Sequence, residues 1–258
     1  MRNTNIYTSA RNFFNDSIVY QTTDRWGDIV VIDHRHYRNL TFNSIYEQSS
    51  MDVHNPHILV HEYTRAMMMV LAFIKPHHAT ILGLGGGCLL RSLCQMLPTC
   101  ELHAVELRQR VYDVASEFFG IPISKKVTIT ISDAKQQLKD TDDNSTNVIF
   151  ADMYSAYHMN PFQMQKRFFD QCYRVLSSNG WLVINYHEIP LLNRSFLQYL
   201  HDLFAEVFVC VIPGGNSILY ASKYRIDALY SFEEAVTVLE KKLGIKLIHL
   251  FKRLTRLE

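Results

Sequence analysis

The feature that most constrains the fold is a short apolar segment that runs directly into a glycine-rich turn. Residues Ala79–Leu84 (ATILGL) have the character of a buried strand, and Gly85, Gly86 and Gly87 precede a helical pattern that continues to about Leu97. Glycines at a strand-to-helix turn let the backbone approach a ligand closely and leave the first N–H groups of the helix free. Glycines also end strands for simple geometric reasons, so the turn favours a ligand but does not identify it.

Strand and helix patterns alternate after this turn. The predicted strands of the sheet are Ala79–Leu84, Leu102–Glu106, Val127–Ser132, Asn147–Asp152 and Trp181–Tyr186. Two further strands, Val207–Pro213 and Ile218–Lys223, flank Gly214-Gly215-Asn216, which is a hairpin signal. A nicotinamide-binding sheet normally enters its sixth strand through a helix. Five parallel strands that close on a hairpin therefore predict an α/β fold of the class I AdoMet-dependent-transferase type, with a Rossmann-like sheet.

A small N-terminal antiparallel β cap is predicted ahead of this sheet. Turn signals separate three β-rich runs, Ile18–Thr23, Asp28–Asp33 and Arg38–Phe42. Such a meander is too small to be stable alone. Residues 43–60 are polar and predict a linking loop, and a helical pattern then covers Leu59–Ile74.

The chain is accordingly divided into two parts. Residues 1–58 are the cap with its linking loop, and residues 59–258 are the nucleoside-binding transferase domain. The tail of the second part, Ser231–Glu258, is predicted to be one amphipathic basic helix that packs on the domain or on another subunit.

Composition excludes several classes of protein. The net charge of +1 gives no general attraction to nucleic acid or to an anionic membrane, and the 48% hydrophobic content excludes disorder. The longest apolar run, Ala66–Ile74, is far shorter than the roughly 18 residues of a membrane span. The amino terminus lacks the apolar core of a secretory signal, and five cysteines without a CxxC pair indicate reduced thiols, so a cytoplasmic protein is expected. The histidines lack ligand spacing, so no metal is expected.

Two acids at strand ends suggest an adenosine pocket beside the glycine turn. Glu106 ends the second strand, where a carboxylate can accept the ribose hydroxyls of a nucleoside, although an ordinary surface glutamate is the alternative. Asp133 ends the third strand, where it can accept from an adenine amino group or cap the helix that follows; both roles are compatible.

Asp152 is the candidate catalytic residue. It ends the fourth strand, and a carboxylate there can take a proton from an attacking amine. A strand-end acid that caps the following loop is an equally good interpretation. Tyr154, Tyr157 and His158 follow and can wall an acceptor pocket or serve as packing aromatics.

These motifs together resemble the spermidine synthase (polyamine aminopropyltransferase) superfamily, and specifically a divergent spermidine-synthase-like branch. The resemblance covers about residues 18–222 and passes in order through the β cap, Gln48-Ser49, Tyr63, Gly83–Gly87, Val105-Glu106, Asp133-Ala134 and Asp152. It implies an enzyme that transfers an aminopropyl group from decarboxylated AdoMet to a small amine. It also implies assembly as a homodimer or homotetramer, while the charge balance predicts no nucleic-acid or membrane partner.

The resemblance also implies roles for individual residues. Asp152 matches the family's catalytic aspartate, and Tyr63 and Tyr154 fall on the acceptor side. The nucleoside-binding set that it implies is Gln48, Gly83, Gly85, Gly86, Glu106, Asp133 and Ala134.

Three departures from the family pattern concern charge. Cys88 follows the glycines where the family has an aspartate for the donor's ammonium group, Ser155 replaces a second acid, and Arg65 replaces an acid that faces the polyamine. Buried ammonium groups need acidic or carbonyl partners, so the usual diamine acceptor is in question. Glu62, His187 and Glu188 are residues that can compensate.

Three functions therefore stay open. The first is aminopropyl transfer to an amine, with Asp152 as base. The second is methyl transfer from intact AdoMet to a small acceptor, in which Arg65 binds the methionyl carboxylate. The third is a non-catalytic nucleoside-binding homologue that has lost its acceptor acids.

Overall fold

Two β-sheets organise the chain, which a computed structural model describes over residues 16–42, 47–187, 194–213 and 215–257. The first sheet is antiparallel and follows chain order, with the strands β1 Asp16–Asp24, β2 Gly27–His34, β3 Tyr37–Thr41 and β4 Glu47–Asp52. The three predicted cap strands are confirmed. β4 is a correction, because it lies in the stretch predicted as a linking loop. Its sequence, EQSSMD, is polar and gives no strand pattern, yet it forms a strand that pairs with β3 and buries Ser49, Ser50 and Met51.

The second sheet has eight strands in the order β12-β10-β11-β9-β8-β5-β6-β7. Neighbouring strands from β9 to β7 are parallel, whereas β11 pairs antiparallel with β9 and with β10. The predicted fold class, with five parallel strands that close on a hairpin, is therefore confirmed. The strands are β5 His78–Leu82, β6 Glu101–Glu106, β7 Val127–Ile131, β8 Thr146–Ala151, β9 Leu176–Tyr186, β10 Glu206–Val211, β11 Ser217–Ser222 and β12 Leu254–Arg256.

Helices cover both faces of this sheet. Successive residues of one strand pack into different apolar clusters on opposite faces of the sheet. Phe150 of β8 belongs to one cluster and Ile149 to the other. None of the described helices combines the length and the apolar character that a membrane span requires. The helices are α1 Glu62–Met68, α2 Cys88–Met96, α3 Gln109–Phe118, α4 Ala134–Asp140, α5 Lys166–Val175, α6 Arg194–Leu203, α7 Glu233–Leu243 and α8 Ile248–Phe251.

The C-terminal tail differs from its prediction as one amphipathic helix. Gly244, at φ +65°, ends α7, and the chain then forms the short α8 and the strand β12. β12 pairs with β10 and places Arg256 next to the buried carboxylate of Glu206, with Nε 3.1 Å from Oε2. The helical pattern failed here because the free edge of β10 offers backbone hydrogen bonds that sequence periodicity cannot reveal.

The cap packs directly on α3. Cap residues share one apolar cluster with α3 and the residue after it; the cluster contains Ile29, Val31, Leu40, Phe42, Met51, Val111, Val114 and Phe119. Beside this cluster, the Arg108 guanidinium makes two hydrogen bonds to the Asp24 carboxylate (2.8 and 3.0 Å) and one to the carbonyl oxygen of Gly27 (2.9 Å). The division of the chain at residue 58 stays a prediction, and the two sides of that division share both a core and an ion pair.

The Asp24–Arg108 pair predicts a large mutational effect. Both side chains are nearly buried, with exposures of 12% and 8%, so Asp24→Ala leaves a buried guanidinium without its counter-ion. We expect the free energy of unfolding in urea to fall by about 3–5 kcal/mol. Asp143→Ala is the matched control, because its pair with Arg174 is on the surface and is worth less than about 1 kcal/mol. Equal losses in the two variants would contradict the buried-pair argument.

Candidate active site

Four residues predicted from the sequence stand at the carboxyl edge of the parallel strands. Asp152 follows β8, Gly83 follows β5, Glu106 ends β6 and Asp133 comes two residues after β7. Because β8, β5, β6 and β7 are neighbours in that order, the four positions stand side by side. Ligands of open α/β sheets bind at this edge.

Gly83 is where the glycine turn meets the backbone of Asp152. Its φ of +95° lies in the left-handed region, and a Cβ at this position would be 2.2 Å from the carbonyl oxygen of Asp152. Only glycine fits at that distance. Asp152 N donates to the Leu82 carbonyl and Gly83 N donates to the Val105 carbonyl (both 2.9 Å), so the end of β5 is bonded to both of its neighbouring strands. The turn is thereby fixed against the strand end that carries the candidate base.

The cap forms a second wall of the turn through β4. Ser49 Oγ accepts a hydrogen bond from Gly86 N (2.8 Å), and a Cβ on Gly86 would lie 2.8 Å from that of Ser49. The carbonyl oxygen of Ser50 accepts a hydrogen bond from the Cys88 thiol (3.4 Å). Gln48, the predicted cap contact of the nucleoside, precedes Ser49 on the same strand and is partly buried. Ser49 was missed as a site residue, although its place beside Gln48 was an available signal.

Arg91 on α2 is a second residue that the sequence did not reveal. Its buried guanidinium donates to three backbone carbonyl oxygens, those of Pro56 (2.7 Å), Gly86 (2.9 Å) and Phe119 (2.6 Å). These carbonyls come from the segment after β4, the glycine turn and the end of α3. One cation therefore fixes the turn to both of its neighbours. The only signal in the sequence is an arginine on the first turn of a helix whose other residues are largely apolar.

The Glu106 carboxylate accepts backbone hydrogen bonds from the glycine turn. One carboxylate oxygen accepts from Leu84 N (3.1 Å) and Gly85 N (3.3 Å), and the other accepts from Arg108 N (2.9 Å). Burial raises the pKa of Glu106, and these backbone N–H groups oppose that rise by stabilising the ionised form. A carboxylate offers about four acceptor sites, so capacity for a ligand hydroxyl remains. The surface-glutamate alternative is wrong, because the side chain is buried; ribose binding stays a prediction.

Asp133 caps α4, as one of its two predicted roles requires. Its Oδ1 accepts from Lys135 N (2.7 Å), and Ala134 is the first residue of the helix. The Asp133 side chain is exposed at the edge of the sheet. Its predicted contact with adenine, like that of Ala134, stays a prediction.

Asp152 is held by two uncharged donors. Asn185 Nδ2 donates to its Oδ1 (2.8 Å), and the Tyr63 hydroxyl also donates to the carboxylate. Burial raises the pKa of Asp152 to about 6, while these two hydrogen bonds act in the opposite direction. Burial likewise raises the pKa of Tyr63 and of Tyr154, so both phenols stay protonated. The cluster contains an acid that is ionised at neutral pH and still basic enough to accept a proton.

Asn185 joins this cluster to two other elements, and the sequence did not reveal its role. Its carbonyl oxygen accepts from the Tyr154 hydroxyl (3.1 Å), and its Oδ1 accepts from Asn216 Nδ2 (2.9 Å). Asn185 is 2% exposed within the apolar run WLVINY of β9. An amide in such a run was the one signal for it, because a buried polar group requires partners.

Several other predicted contacts are not brought to Asp152. Arg65 Nε donates to the carbonyl oxygen of Leu59 (2.8 Å), and two residues of separation place Arg65 and Tyr63 on opposite sides of α1. Ser155 Oγ forms a local turn with the carbonyl oxygen of His158 (3.0 Å). Glu62 contacts His249 on the surface, His187 is exposed, and Glu188 lies outside the described residues.

No metal centre is evident in the part of the chain that the structure describes. There, no three or more His, Cys, Asp or Glu side chains converge in a way that suits a metal ion.

The chain is similar to several known proteins. The sequence model of the spermine/spermidine synthase domain matches residues 60–218. A polyamine aminopropyltransferase of Neisseria meningitidis is 31% identical over 180 residues, which are 69% of this chain and 68% of that protein. An eEF1A lysine and N-terminal methyltransferase of Xenopus laevis is 27% identical over 177 residues, 63% of this chain and 25% of that protein. The crystal structure of a probable spermidine synthase from Corynebacterium glutamicum shares the fold, with a TM-score of 0.76, 22% identity and 86% of each chain covered.

The close approach at Gly83 predicts a position-specific effect of an added methyl group. Gly83→Ala must displace the Asp152 backbone and adopt a positive φ, so we expect the free energy of unfolding to fall by about 3 kcal/mol or more. Gly120→Ala is the control, because Gly120 has φ +61° with nothing within 4 Å of its Cβ position, and only about 1–2 kcal/mol of backbone strain is expected there. Chemical denaturation compares the two variants, and similar losses would refute the steric argument.

The raised pKa of Asp152 predicts how stability depends on pH. A carboxyl that binds its proton more tightly in the folded state stabilises the fold at low pH, and this contribution is lost as pH rises from the model-peptide value of 3.8 to about 6. Asp152→Asn removes that loss. The variant should therefore gain up to about 3 kcal/mol over the wild type between pH 3.5 and pH 7.5, measured by urea unfolding. A stability difference that is constant with pH would contradict the raised pKa.

Proposed function

Because the chain belongs to the spermine/spermidine synthase family, we propose that it transfers an aminopropyl group from decarboxylated AdoMet to a small amine, with Asp152 as the base. The observation that carries the proposal is the position of the partly buried Asp152 carboxylate. It stands directly beside the glycine turn, between the hydrogen-bond donors Tyr63 and Asn185.

The nucleoside of the donor binds along the carboxyl edge of β5, β6 and β7. The carboxylates of Glu106 and Asp133 offer acceptors for the ribose and adenine groups of adenosine, and the glycines let the backbone of the turn approach the ligand closely. The resemblance to the family assigns the same region. The proposed nucleoside-binding set is Gln48, Gly83, Gly85, Gly86, Glu106, Asp133 and Ala134.

The transfer step is a displacement at carbon. Asp152 accepts a proton from the ammonium form of the acceptor, and the resulting amine lone pair forms a bond to the carbon next to the sulfonium. The carbon–sulfur bond breaks, its electron pair stays on sulfur, and methylthioadenosine leaves as a neutral thioether. A base whose pKa lies near 6 is ionised at neutral pH and returns the proton to solvent readily.

The acceptor lies against the phenols of Tyr63 and Tyr154, which are the two predicted substrate residues nearest the base. Nothing in the geometry supports the third, Arg65, because its guanidinium is turned to the carbonyl oxygen of Leu59. The second acid typical of the family is Ser155 here, and its hydroxyl is engaged with His158. These features favour an acceptor with few charges.

Methyl transfer from intact AdoMet is the second candidate function. It is favoured by the relative named as an eEF1A lysine and N-terminal methyltransferase. Both reactions require the same adenosine pocket and a base for the attacking amine. They differ in the group that is transferred from the sulfonium, which is aminopropyl in one reaction and methyl in the other. A binding-only homologue would transfer neither group.

Parallel calorimetric titrations distinguish these functions. Decarboxylated AdoMet and methylthioadenosine should bind the wild-type protein and Asp152→Asn with similar affinity, because Asp152 lies beyond the nucleoside. Transfer to amine acceptors should fall about 10²- to 10⁴-fold in Asp152→Asn, since a general base typically contributes that much.

The other outcomes are equally informative. Tighter binding of intact AdoMet than of the decarboxylated donor would replace aminopropyl transfer by methyl transfer. Nucleoside binding without any transfer in the wild type would leave a binding-only homologue, and the absence of binding by all three nucleosides would refute the adenosine pocket.

A further inference from the structure

Asn216 lies at the turn that joins β10 and β11, outside every element of the nucleoside pocket. The turn is closed by a hydrogen bond from Ile212 N to the carbonyl oxygen of Asn216 (2.8 Å). The side chain of Asn216 extends to β9, where its Nδ2 donates to Oδ1 of Asn185 (2.9 Å). Asn185 Nδ2 in turn donates to Oδ1 of Asp152 (2.8 Å). Two amides thus connect the hairpin to the candidate base.

The direction of these bonds has a chemical consequence. An amide can be flipped so that its oxygen and nitrogen exchange places, and only its partners decide the orientation. A donor at Asn216 fixes the Asn185 oxygen toward the hairpin, which leaves the N–H group for Asp152. If the donor is lost, the Asn185 oxygen is free to turn to the carboxylate, where two acceptors repel each other.

We propose that Asn216, acting through Asn185, is a positioning residue that orients the Asp152 carboxylate and favours its ionised form. This inference rests on the proposed role of Asp152 as the base, which it deepens. Asn216 reaches the Asp152 carboxylate through Asn185, so it acts on catalysis through that amide.

The remaining surroundings of Asp152 leave room for such an effect. Tyr63 donates from α1, Tyr154 approaches from the loop after β8, and the Cys88 thiol on α2 lies near Tyr63. None of these groups carries a positive charge. Within the described residues, the ionised form of Asp152 is stabilised by hydrogen bonds from two donors. One is the Tyr63 hydroxyl and the other is the Asn185 amide.

The test is a titration of the Asp152 side chain that does not depend on activity. The ¹³Cγ resonance of Asp152 is assigned by comparison with Asp152→Asn and followed against pH in the free protein. Losing an oriented donor destabilises the carboxylate, so Asn216→Ala should raise the pKa of Asp152 by about half a unit to one unit. Asn179→Ala is the matched control, because Asn179 is an exposed asparagine near the start of β9, and it should leave the titration unchanged.

A double-mutant cycle tests whether the effect passes through Asn185. Asn185→Ala should raise the pKa of Asp152 at least as much as Asn216→Ala, and adding Asn216→Ala to it should have no further effect. Asn185→Leu, which preserves volume, replaces Asn185→Ala in the cycle if the smaller side chain unfolds the protein. Additive effects of the two substitutions would overturn the proposal, as would a titration of Asn216→Ala that matches the wild type.

Activity supplies an independent readout. If the protein transfers an aminopropyl group, the acid limb of the profile of kcat/KM against pH should shift to higher pH in Asn216→Ala. The shift should equal the change in the pKa of Asp152 found by titration. Nucleoside affinity should be unchanged. A wild-type protein without transferase activity would refute the proposed function, while the titration would still decide the role of Asn216.

Discussion

The buried guanidinium of Arg91 is the interaction on which the geometry of the site depends. A cation removed from water requires compensating partners, and those of Arg91 are the carbonyl oxygens of Pro56, Gly86 and Phe119. These three residues belong to segments that are distant in the sequence. The charge is satisfied only when the cap, the glycine turn and the end of α3 are assembled together, so the shape of the turn is a consequence of global folding and not of a local motif.

The cap is part of the site for the same reason. Its fourth strand donates no catalytic group, yet Ser49 occupies the space that Gly86 leaves open and accepts the backbone hydrogen bond of the turn. On the other side, the ion pair between Asp24 and Arg108 ties the cap to the residues that follow Glu106. These contacts join the cap sheet to the rest of the chain, and through Ser49 the cap in turn fixes the glycine turn.

Local patterns predicted the parts of this structure that depend on local chemistry. The apolar strands, the glycine turn and the acids at the strand ends were visible because each is determined by a few neighbouring residues. β4 was missed because its polar sequence becomes a strand only through pairing with β3. The prediction of a single helix for the C-terminal tail was wrong because β12 is determined by the free edge of β10. The roles of Asn185 and Asn216 depend on a contact across 31 positions, and no alternation or spacing encodes such a contact.

The three-residue strand β12 also bears on how the protein behaves at high concentration. An uncovered strand edge presents unpaired N–H and C=O groups that recruit strands from other molecules. By pairing with Phe208, Val209 and Cys210, β12 occupies the edge of a strand whose side chains are almost all buried. A shortened chain that lacks Leu254–Arg256 would expose the unpaired backbone groups of β10 and would leave the Glu206 carboxylate without Arg256. Such a truncated protein is expected to aggregate through this edge.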